Sequence, residues 1–386
     1  MPEGGRFRTV PSLKSIRDHD STGSGRPAAP DGSALVRGET PKQWESSVVT
    51  MPVETAGYQL LRGVEEAVHR RVVGQDDVIE GLLIALITGG HVLLEGLPGL
   101  AKTLLVRSLA GALHTSFRRI QFTPDLLPGD VIGTPVYDQS TGEFRVYKGP
   151  VFANLLLADE VNRAPPKVQS ALLEAMEEEQ VTIDGIPYSL PLPFLVLATQ
   201  NPIEQQGTYP LAEAQLDRFM MKLRIDYPRR GEELEIIERV ALAPIEAARP
   251  SGEEQVDLLA AAEEGAASAP EILAARAELN GVVVEDKIRD YVVDIVFATR
   301  EPVKAGLPEF STLLEFGTSP RATIFLIRAA RALAYLKGRD FVLPDDVKTV
   351  AYPVLRHRLR TTYEADAKGI DADQLIDRLL DAVAAP

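Results

Sequence analysis

Residues 96–103 read Gly-Leu-Pro-Gly-Leu-Ala-Lys-Thr, and they follow the apolar run His91–Glu95 and precede a helical pattern. In a glycine-rich loop between a strand and a helix, backbone N–H groups and the helix N-terminus point toward one place, where an anion can bind. The spacing matches the phosphate-binding pattern G-x-x-x-x-G-K-[ST], except that Ala101 replaces the second glycine. Since alanine is a good helix former and this position opens the predicted helix, we expect the change to be tolerated.

The loop residues have predicted contacts with a nucleotide. Lys102 would reach the β- and γ-phosphates, and the Thr103 hydroxyl would bind Mg²⁺. The predicted nucleotide-binding residues of this segment are Gly96, Pro98, Gly99, Leu100, Ala101, Lys102, Thr103 and Leu104.

A second motif, the apolar run 154–158, ends in the carboxylates Asp159 and Glu160. An all-apolar run of this length predicts a buried parallel strand, and ligands of open α/β sheets bind at the carboxyl ends of such strands. Asp159 would hold Mg²⁺ directly or through water, and Glu160 would orient and polarise the attacking water. Together the two motifs predict nucleotide hydrolysis.

Composition limits the alternatives. The 386 residues carry a formal charge of −15, which argues against broad binding to nucleic acid or anionic membranes. There is no cysteine, and the histidines are scattered, which makes disulfides impossible and a transition-metal site improbable. The N-terminus shows no secretory signal, and the run Val78–Thr88 is too short to span a bilayer, so we expect a cytoplasmic protein without a membrane span.

Three regions are predicted along the chain. Residues 1–50, rich in Gly, Pro and Ser, should form a flexible tail, and residues 51–228 a parallel, doubly wound α/β domain. The predicted strands of that domain are 91–95, 118–123, 155–159, 194–199 and 221–226, and its helices are 58–72, 78–88, 102–113, 167–179 and 212–219. Residues 124–149 form a predicted insert with hairpin-like sequence, and residues 181–192 a hairpin that turns at Asp184-Gly185.

Residues 229–386 should form a smaller, all-helical domain. Its predicted helices are 231–242, 256–264, 271–279, 285–299, 321–337, 344–358 and 371–384. The stretch 244–281 is rich in Ala and Glu, and we expect it to be a partly mobile insertion.

Over residues 57–384 the chain resembles the MoxR family of AAA+ ATPases, within the clade that carries a helix-2 insert and a pre-sensor-1 hairpin. The resemblance rests on motifs in a fixed order: Gly96–Thr103, Asp159–Ala164, Leu173–Glu177, Ala198–Pro202, Leu216–Phe219 and Ser319–Ala322. It implies a P-loop NTPase fold of AAA+ type, a parallel sheet with helices on both faces plus a smaller all-helical lid domain. It also implies ATP with Mg²⁺ and a ring of identical subunits, which we expect to be a hexamer.

The resemblance assigns further site residues. It implies that Asn201 contacts the γ-phosphate or the attacking water, and that Arg218 is an arginine finger for the neighbouring subunit. It implies that Arg321 is a second sensor that contacts the γ-phosphate, and it places Arg163 near a subunit boundary. The family's adenine pocket corresponds to Val73, Gly74 and Tyr227.

The leading hypothesis from the resemblance is chaperone-like remodelling of partner proteins, some of them with a von Willebrand factor A domain. The alternatives are a nucleic-acid translocase or helicase, the motor subunit of a metal chelatase, and a scaffold that does not hydrolyse ATP. Hairpins that track phosphates need cations, but residues 180–192 contain no Lys or Arg, and the insert 124–149 has more acids than bases. We therefore expect a protein client and no nucleic acid. The intact motif residues argue against the scaffold.

Overall fold

A computed structural model describes residues 54–202, 207–242 and 267–386, and these residues belong to one compact unit. Its strands are β1 (Val92–Gly96), β2 (Leu113–His114), β3 (Phe117–Gln121), β4 (Gly133–Asp138), β5 (Glu143–Lys148), β6 (Leu155–Asp159), β7 (Gln180–Ile183), β8 (Ile186–Ser189), β9 (Leu195–Gln200), β10 (Met221–Ile225) and β11 (Ala267–Ser268).

Helices surround these strands and fill the C-terminal part. They are α1 (Ala56–His69), α2 (Asp76–Thr88), α3 (Lys102–Gly111), α4 (Pro128–Ile132), α5 (Pro166–Glu178), α6 (Glu213–Leu216), α7 (Arg230–Ile236), α8 (Ala269–Glu278), α9 (Asp286–Arg300), α10 (Phe310–Leu313), α11 (Pro320–Leu336), α12 (Pro344–Leu355), α13 (Tyr363–Ala367) and α14 (Ala372–Ala382). A π-helix at Ile237–Ala241 continues α7.

The central sheet has five parallel strands in the order β10-β1-β9-β6-β3. The apolar runs that predict β1, β6 and β9 are buried on both faces of the sheet, since Leu94 packs into one hydrophobic core and Leu93 into the other. The edge strand β3 is mostly exposed. All five strands end at the same edge of the sheet, where Gly96, Asp159 and Gln200 are the last residues of β1, β6 and β9. This edge places the glycine-rich loop opposite the two carboxylates. The predicted fold, a parallel sheet with helices on both faces and a helical lid, is confirmed.

Two hairpins interrupt the alternation of strands and helices. In the insert 124–149, α4 is followed by the antiparallel pair β4–β5, and the second hairpin is β7–β8. Asp184 and Gly185 turn this second hairpin with φ angles of 53° and 77°, as their sequence predicts. The two hairpins contact each other through β4 and β7.

Some predicted helix boundaries are wrong. The helix predicted over 212–219 ends at Leu216, because the carbonyl groups of Asp217 and Phe219 accept hydrogen bonds from Arg358 at 2.8 and 2.7 Å. The helix predicted over 344–358 ends at Leu355. The sequence also does not reveal α10, α13 or the short parallel pair β2–β11.

Of the stretch 244–281, residues 267–281 form β11, α8 and the turn after it, and α8 matches the helix predicted over 271–279. The predicted helix 256–264 lies outside the described residues, and the partial mobility of the stretch stays a prediction. Ala267 pairs with Leu113, and α8 packs against α1 and α2. Arg276 fixes α8 to α2 by donating to the carbonyl oxygen of Leu86 at 2.9 Å.

The helical C-terminal part shares one hydrophobic core with the α/β part. In this core α11 packs against α2, and Leu326 and Leu333 are buried together with Leu82 and Leu86. The domain boundary at residue 228 therefore stays a prediction, and the flexible tail predicted for residues 1–50 lies outside the described residues. In the described part of the chain, no helix combines the length and apolarity needed to cross a bilayer.

Candidate active site

The glycine-rich loop connects β1 to α3, and its backbone turns in the left-handed region. Gly99 has a φ of 85° and Ala101, the residue before the helix, a φ of 55°. The explanation that alanine suits this position as a helix former is therefore wrong, because Ala101 is not in helical conformation. A left-handed alanine carries steric strain, which indicates that the surrounding loop imposes the conformation.

Lys102 is the first residue of α3, and its side chain reaches back into the loop. Its Nζ donates to the carbonyl oxygens of Gly96 and Leu97 at 2.5 and 2.8 Å. Burial lowers the pKa of Lys102, and the carboxylates of Asp159 and Glu160 oppose that shift. In this structure the Lys102 ammonium thus donates to neutral carbonyl groups and lies near two carboxylates. Among the described residues, it has no tightly bound anion that a phosphate would have to displace from it.

A cavity of about 370 Å³ lies between the loop and the carboxyl ends of β6 and β9. The structure brings together most of the predicted site residues around it. They are Pro98, Gly99, Leu100, Ala101, Lys102, Thr103, Asp159, Glu160 and Asn201, with Thr199 in addition.

Asp159 is almost fully buried and accepts hydrogen bonds on both oxygens. Thr199 Oγ1 donates to Oδ1 at 2.6 Å, and Arg119 donates to Oδ2 from Nη2 at 2.6 Å and from Nε at 3.2 Å. Thr199 also accepts the backbone N–H of Glu160 at 2.8 Å, so its hydroxyl ties both acidic residues to β9.

Sequence reasoning missed Arg119 and Thr199 as site residues. Thr199 stands inside the motif Ala198–Pro202, which was a usable signal. Arg119 has no such signal, because its proximity to Asp159 depends on the pairing of β3 with β6, in which Gln121 lies opposite Asp159.

Glu160 has a left-handed backbone with a φ of 56°. Two side chains bind its Oε2: Gln121 Nε2 donates at 2.8 Å, and Arg163 Nε lies 2.8 Å away. Arg163, expected near a subunit boundary, thus pairs with the predicted catalytic carboxylate of its own chain. These contacts fix the Glu160 carboxylate where it lines the cavity.

A second cavity of about 230 Å³ adjoins the first and shares Gly99, Leu100 and Ala101 with it. Its lining is largely apolar and includes Val72, Val73, Leu104, Pro228, Ile236 and Val240. Of the three residues predicted for adenine, Val73 lines the cavity and Gly74 is its neighbour. The Tyr227 side chain is 68% exposed, and the flanking Asp226 and Pro228 line the cavity instead.

Arg218 and Arg321 lie outside both cavities, at a separate cleft of about 280 Å³. Arg218 Nη1 donates to the Leu173 carbonyl oxygen at 2.7 Å, and its Nη2 lies 2.9 Å from Glu177 Oε2. Arg321 Nη2 donates to the other oxygen of Glu177. Neither guanidinium thus reaches the cavity around Lys102 in its own chain.

The donor set suits a phosphate chain with Mg²⁺. Within the described ranges, no group of three or more His, Asp or Glu side chains converges on a metal position. Mg²⁺ is commonly bound by one or two protein oxygens together with substrate phosphates, and the Thr103 hydroxyl and Asp159 carboxylate at one cavity fit that mode. Phosphoryl transfer to water needs a cation near the phosphates, oxygen ligands for Mg²⁺ and a carboxylate that can orient water, and the residues that line this cavity include candidates for each.

Comparisons with known proteins agree with this chemistry. Residues 91–221 match the family model described as ATPase family associated with various cellular activities (AAA), and residues 310–379 match that of the AAA lid domain. The chain is 49% identical over 319 residues to chaperone MoxR1 of Mycobacterium tuberculosis, covering 83% of this chain and 80% of that protein. It is 43% identical over 330 residues to the uncharacterized protein YeaC of Bacillus subtilis, covering 85% and 96%.

A solved structure has the same fold. A crystal structure from Cytophaga hutchinsonii superposes with a TM-score of 0.75 at 48% sequence identity, covering 86% of this chain and 96% of that one. With the site geometry and the near full-length relatives, this similarity decides the family. The chain belongs to the MoxR family of AAA ATPases, and its activity is ATP hydrolysis.

Proposed function

We propose that this ATPase works as a ring of identical subunits that remodels partner proteins, with Mg²⁺ and ATP bound at the loop between β1 and α3. The observation that carries the remodelling function is a solvent-exposed aromatic hairpin, β4–β5, inserted between two strands that end at the ATP site. The similarity to the chaperone MoxR1 supports this proposal.

The two adjoining cavities would each bind one part of the nucleotide. The phosphates would occupy the cavity that contains Lys102, and the adenine would occupy the apolar cavity beside Val73. Mg²⁺ would be held by Thr103 and Asp159 and would neutralise charge on the phosphates. Lys102 would leave the loop carbonyl oxygens for the β- and γ-phosphates.

For hydrolysis, Glu160 would orient the attacking water and accept its hydrogen bond, and the Asn201 amide would contact that water or the γ-phosphate. Both residues line the phosphate cavity. Because Arg119 holds Asp159 Oδ2, its guanidinium would give up that oxygen when Mg²⁺ binds. Glu160 would likewise exchange its bonds to Gln121 and Arg163 for the water.

Arg218 and Arg321 would complete the site of a neighbouring subunit. Their side chains are 31% and 37% exposed, and they line a cleft separate from the cavity that contains Lys102 in their own chain. A guanidinium supplied from another subunit is a common way to stabilise charge on a transferring phosphoryl group. In this proposal each ATP site lies at a subunit interface of a ring, which we propose to be a hexamer.

The hairpin β4–β5 presents an apolar surface. Phe144 and Tyr147 are 71% and 76% exposed, and Phe144 packs against Tyr137 with ring centroids 5.2 Å apart. Exposed aromatic clusters mark protein-binding surfaces, since monomeric proteins seldom leave them uncovered.

Both cations of the insert 124–149 contact other side chains of the same chain. Arg145 Nε lies 3.5 Å from Asp138 Oδ2, and Lys148 Nζ lies 4.8 Å from the centre of the Phe152 ring. The neighbouring hairpin β7–β8 has no Lys or Arg. These charges favour a protein client over a nucleic-acid backbone.

The test compares the wild type with the double variant Phe144→Ser, Tyr147→Ser in steady-state ATPase assays with casein as an unfolded protein. We expect casein to stimulate the wild type and to leave the variant at its basal rate. Glu143→Gln on the same hairpin is the matched control and should keep the stimulation. If single-stranded DNA stimulates the ATPase at physiological salt while casein does not, the chain is a nucleic-acid translocase instead.

A partner with a von Willebrand factor A domain is our proposal for the physiological contact, and the cytoplasm for its location. Co-purification of a tagged chain with such a partner in the presence of ATP, followed by cell fractionation, tests both proposals.

A further inference from the structure

Glu177, near the C-terminal end of α5, binds two arginines that are distant in sequence. Its Oε2 lies 2.9 Å from Arg218 Nη2, and its Oε1 accepts a hydrogen bond from Arg321 Nη2. One carboxylate thus contacts Arg218, two residues beyond the end of α6, and Arg321 in the first turn of α11. We propose that Glu177 is a positioning residue, which holds Arg218 and Arg321 as one pair for the neighbouring subunit's phosphates. The inference rests on the shared site proposed above.

Glu177 contacts both arginines, whereas Asp217 contacts only Arg321 of the two, at 3.8 Å from its Nη1. The two arginines are long side chains of like charge, only partly buried, and they share the cleft with Arg328. Like charges repel, and a free arginine side chain samples many rotamers. Glu177 offsets the repulsion and restricts both side chains. Groups that are already oriented toward the developing charge save the free energy of ordering them during the reaction.

A buried ion pair fixes the backbone behind this arrangement. Asp217, which precedes Arg218, accepts from Arg358 Nε at 2.8 Å and from Ser319 Oγ at 2.7 Å. The Arg358 side chain is only 2% exposed, and Ser319 caps the helix in which Arg321 lies. Asp217 and Arg358 therefore set where the two arginines leave the backbone, and Glu177 sets where their guanidinium groups end.

The anchored arginines can still bind a phosphate. A guanidinium has more N–H donors than the contacts to Glu177, Leu173 and Asp217 use. Since about a third of each side chain is exposed, the pair can receive an anion from outside the chain. Glu177 then remains bound at one side of the pair while the phosphate binds at the other.

The test measures ATPase kinetics of Glu177→Ala and Glu177→Gln, with Glu178→Ala as the matched control, because Glu178 is the exposed acid one position further along α5. We expect Glu177→Ala to lower kcat by about ten-fold while the affinity for a fluorescent ATP analogue changes less than two-fold. Glu177→Gln, which keeps an acceptor oxygen, should lose less, and Glu178→Ala should match the wild type.

Mixed rings separate an effect on the neighbour from an effect within the subunit. Glu160→Gln subunits should hydrolyse ATP very slowly but carry intact arginines, so adding them in equal amount should raise the rate per Glu177→Ala subunit. No recovery, an unchanged kcat, or a raised kcat in Glu177→Ala would overturn the positioning role. Arg218→Ala is measured in parallel: if it is fully active, the shared site itself is wrong, whereas an impaired Arg218→Ala beside a normal Glu177→Ala overturns only the role of Glu177.

Discussion

Arg119 Nη2 lies 2.6 Å from Asp159 Oδ2, on the carboxylate that we propose as a Mg²⁺ ligand. The Arg119 side chain is 39% exposed and the Asp159 side chain 11%, so solvent screens the ion pair only in part. A cation of the protein thus occupies one oxygen that the metal would need. Mg²⁺ and Arg119 should therefore compete for Asp159.

This competition predicts the behaviour of Arg119→Ala. Removing the guanidinium frees Oδ2, and a partly exposed ion pair is worth up to about 1 kcal/mol, which corresponds to a factor of about five in affinity. We expect the Mg²⁺ concentration that gives half-maximal ATPase at saturating ATP to fall by about two- to five-fold. Titration of Mg²⁺ into the complex with a non-hydrolysable ATP analogue checks the same shift without turnover. A higher Mg²⁺ requirement would mean that Arg119 binds phosphate and does not restrain Asp159.

The hydrogen bonds of Thr199 predict that Thr199→Val loses both stability and activity. The Thr199 hydroxyl donates to Asp159 and accepts the N–H of Glu160, and the residue is fully buried. Thr199→Val keeps the shape but leaves both polar groups without that partner, at a cost of about 1–3 kcal/mol in the free energy of unfolding. We expect kcat to fall with little change in ATP affinity, because the loop is untouched. Urea unfolding and ATPase assays measure both effects, and Thr199→Ser should retain most of each.

The buried, neutral ring of His91 predicts how the free energy of unfolding depends on pH. Its Nε2–H donates to the Met176 carbonyl oxygen at 2.9 Å and its Nδ1 accepts the Val196 N–H at 3.0 Å, so the folded protein holds the neutral ring. Burial lowers the pKa of His91 from 6.5 to about 4, and the charge of Arg276 adds to that shift. Between these values the unfolded chain binds more protons than the folded one, so stability is lost as the pH falls.

The measurement is urea unfolding of the wild type and of His91→Gln, which keeps a donor and an acceptor but does not titrate. From about pH 7.5 to about pH 5.5 the wild type should lose about 1 kcal/mol more than the variant. His357 is buried with its pKa lowered in the same direction, and it contributes equally to both proteins. Identical pH profiles would show that His91 does not carry this part of the dependence.

The sequence predicts the elements that local patterns encode. The loop around Lys102 and the strand that ends at Asp159 follow from glycine spacing and apolar runs, and both lie where predicted. The positions of Arg119 and Glu177 depend on strand pairing and helix packing between distant segments, which no local pattern carries. Ala101 shows the same limit, since its left-handed backbone is imposed by the loop and opposes the alanine's own preference.

The central claim is that Lys102 binds the phosphates of ATP and Glu160 activates water in one cavity. The most direct measurement is ATP binding and steady-state ATPase, side by side, for Lys102→Ala and Glu160→Gln. We expect Lys102→Ala to lose ATP binding, because the charge that faces the phosphates is gone. Glu160→Gln should bind ATP as the wild type does and hydrolyse it at least about a hundred-fold more slowly, because only the water activation is lost. Full ATPase activity in Glu160→Gln, or unchanged ATP binding in Lys102→Ala, would contradict this account of the site.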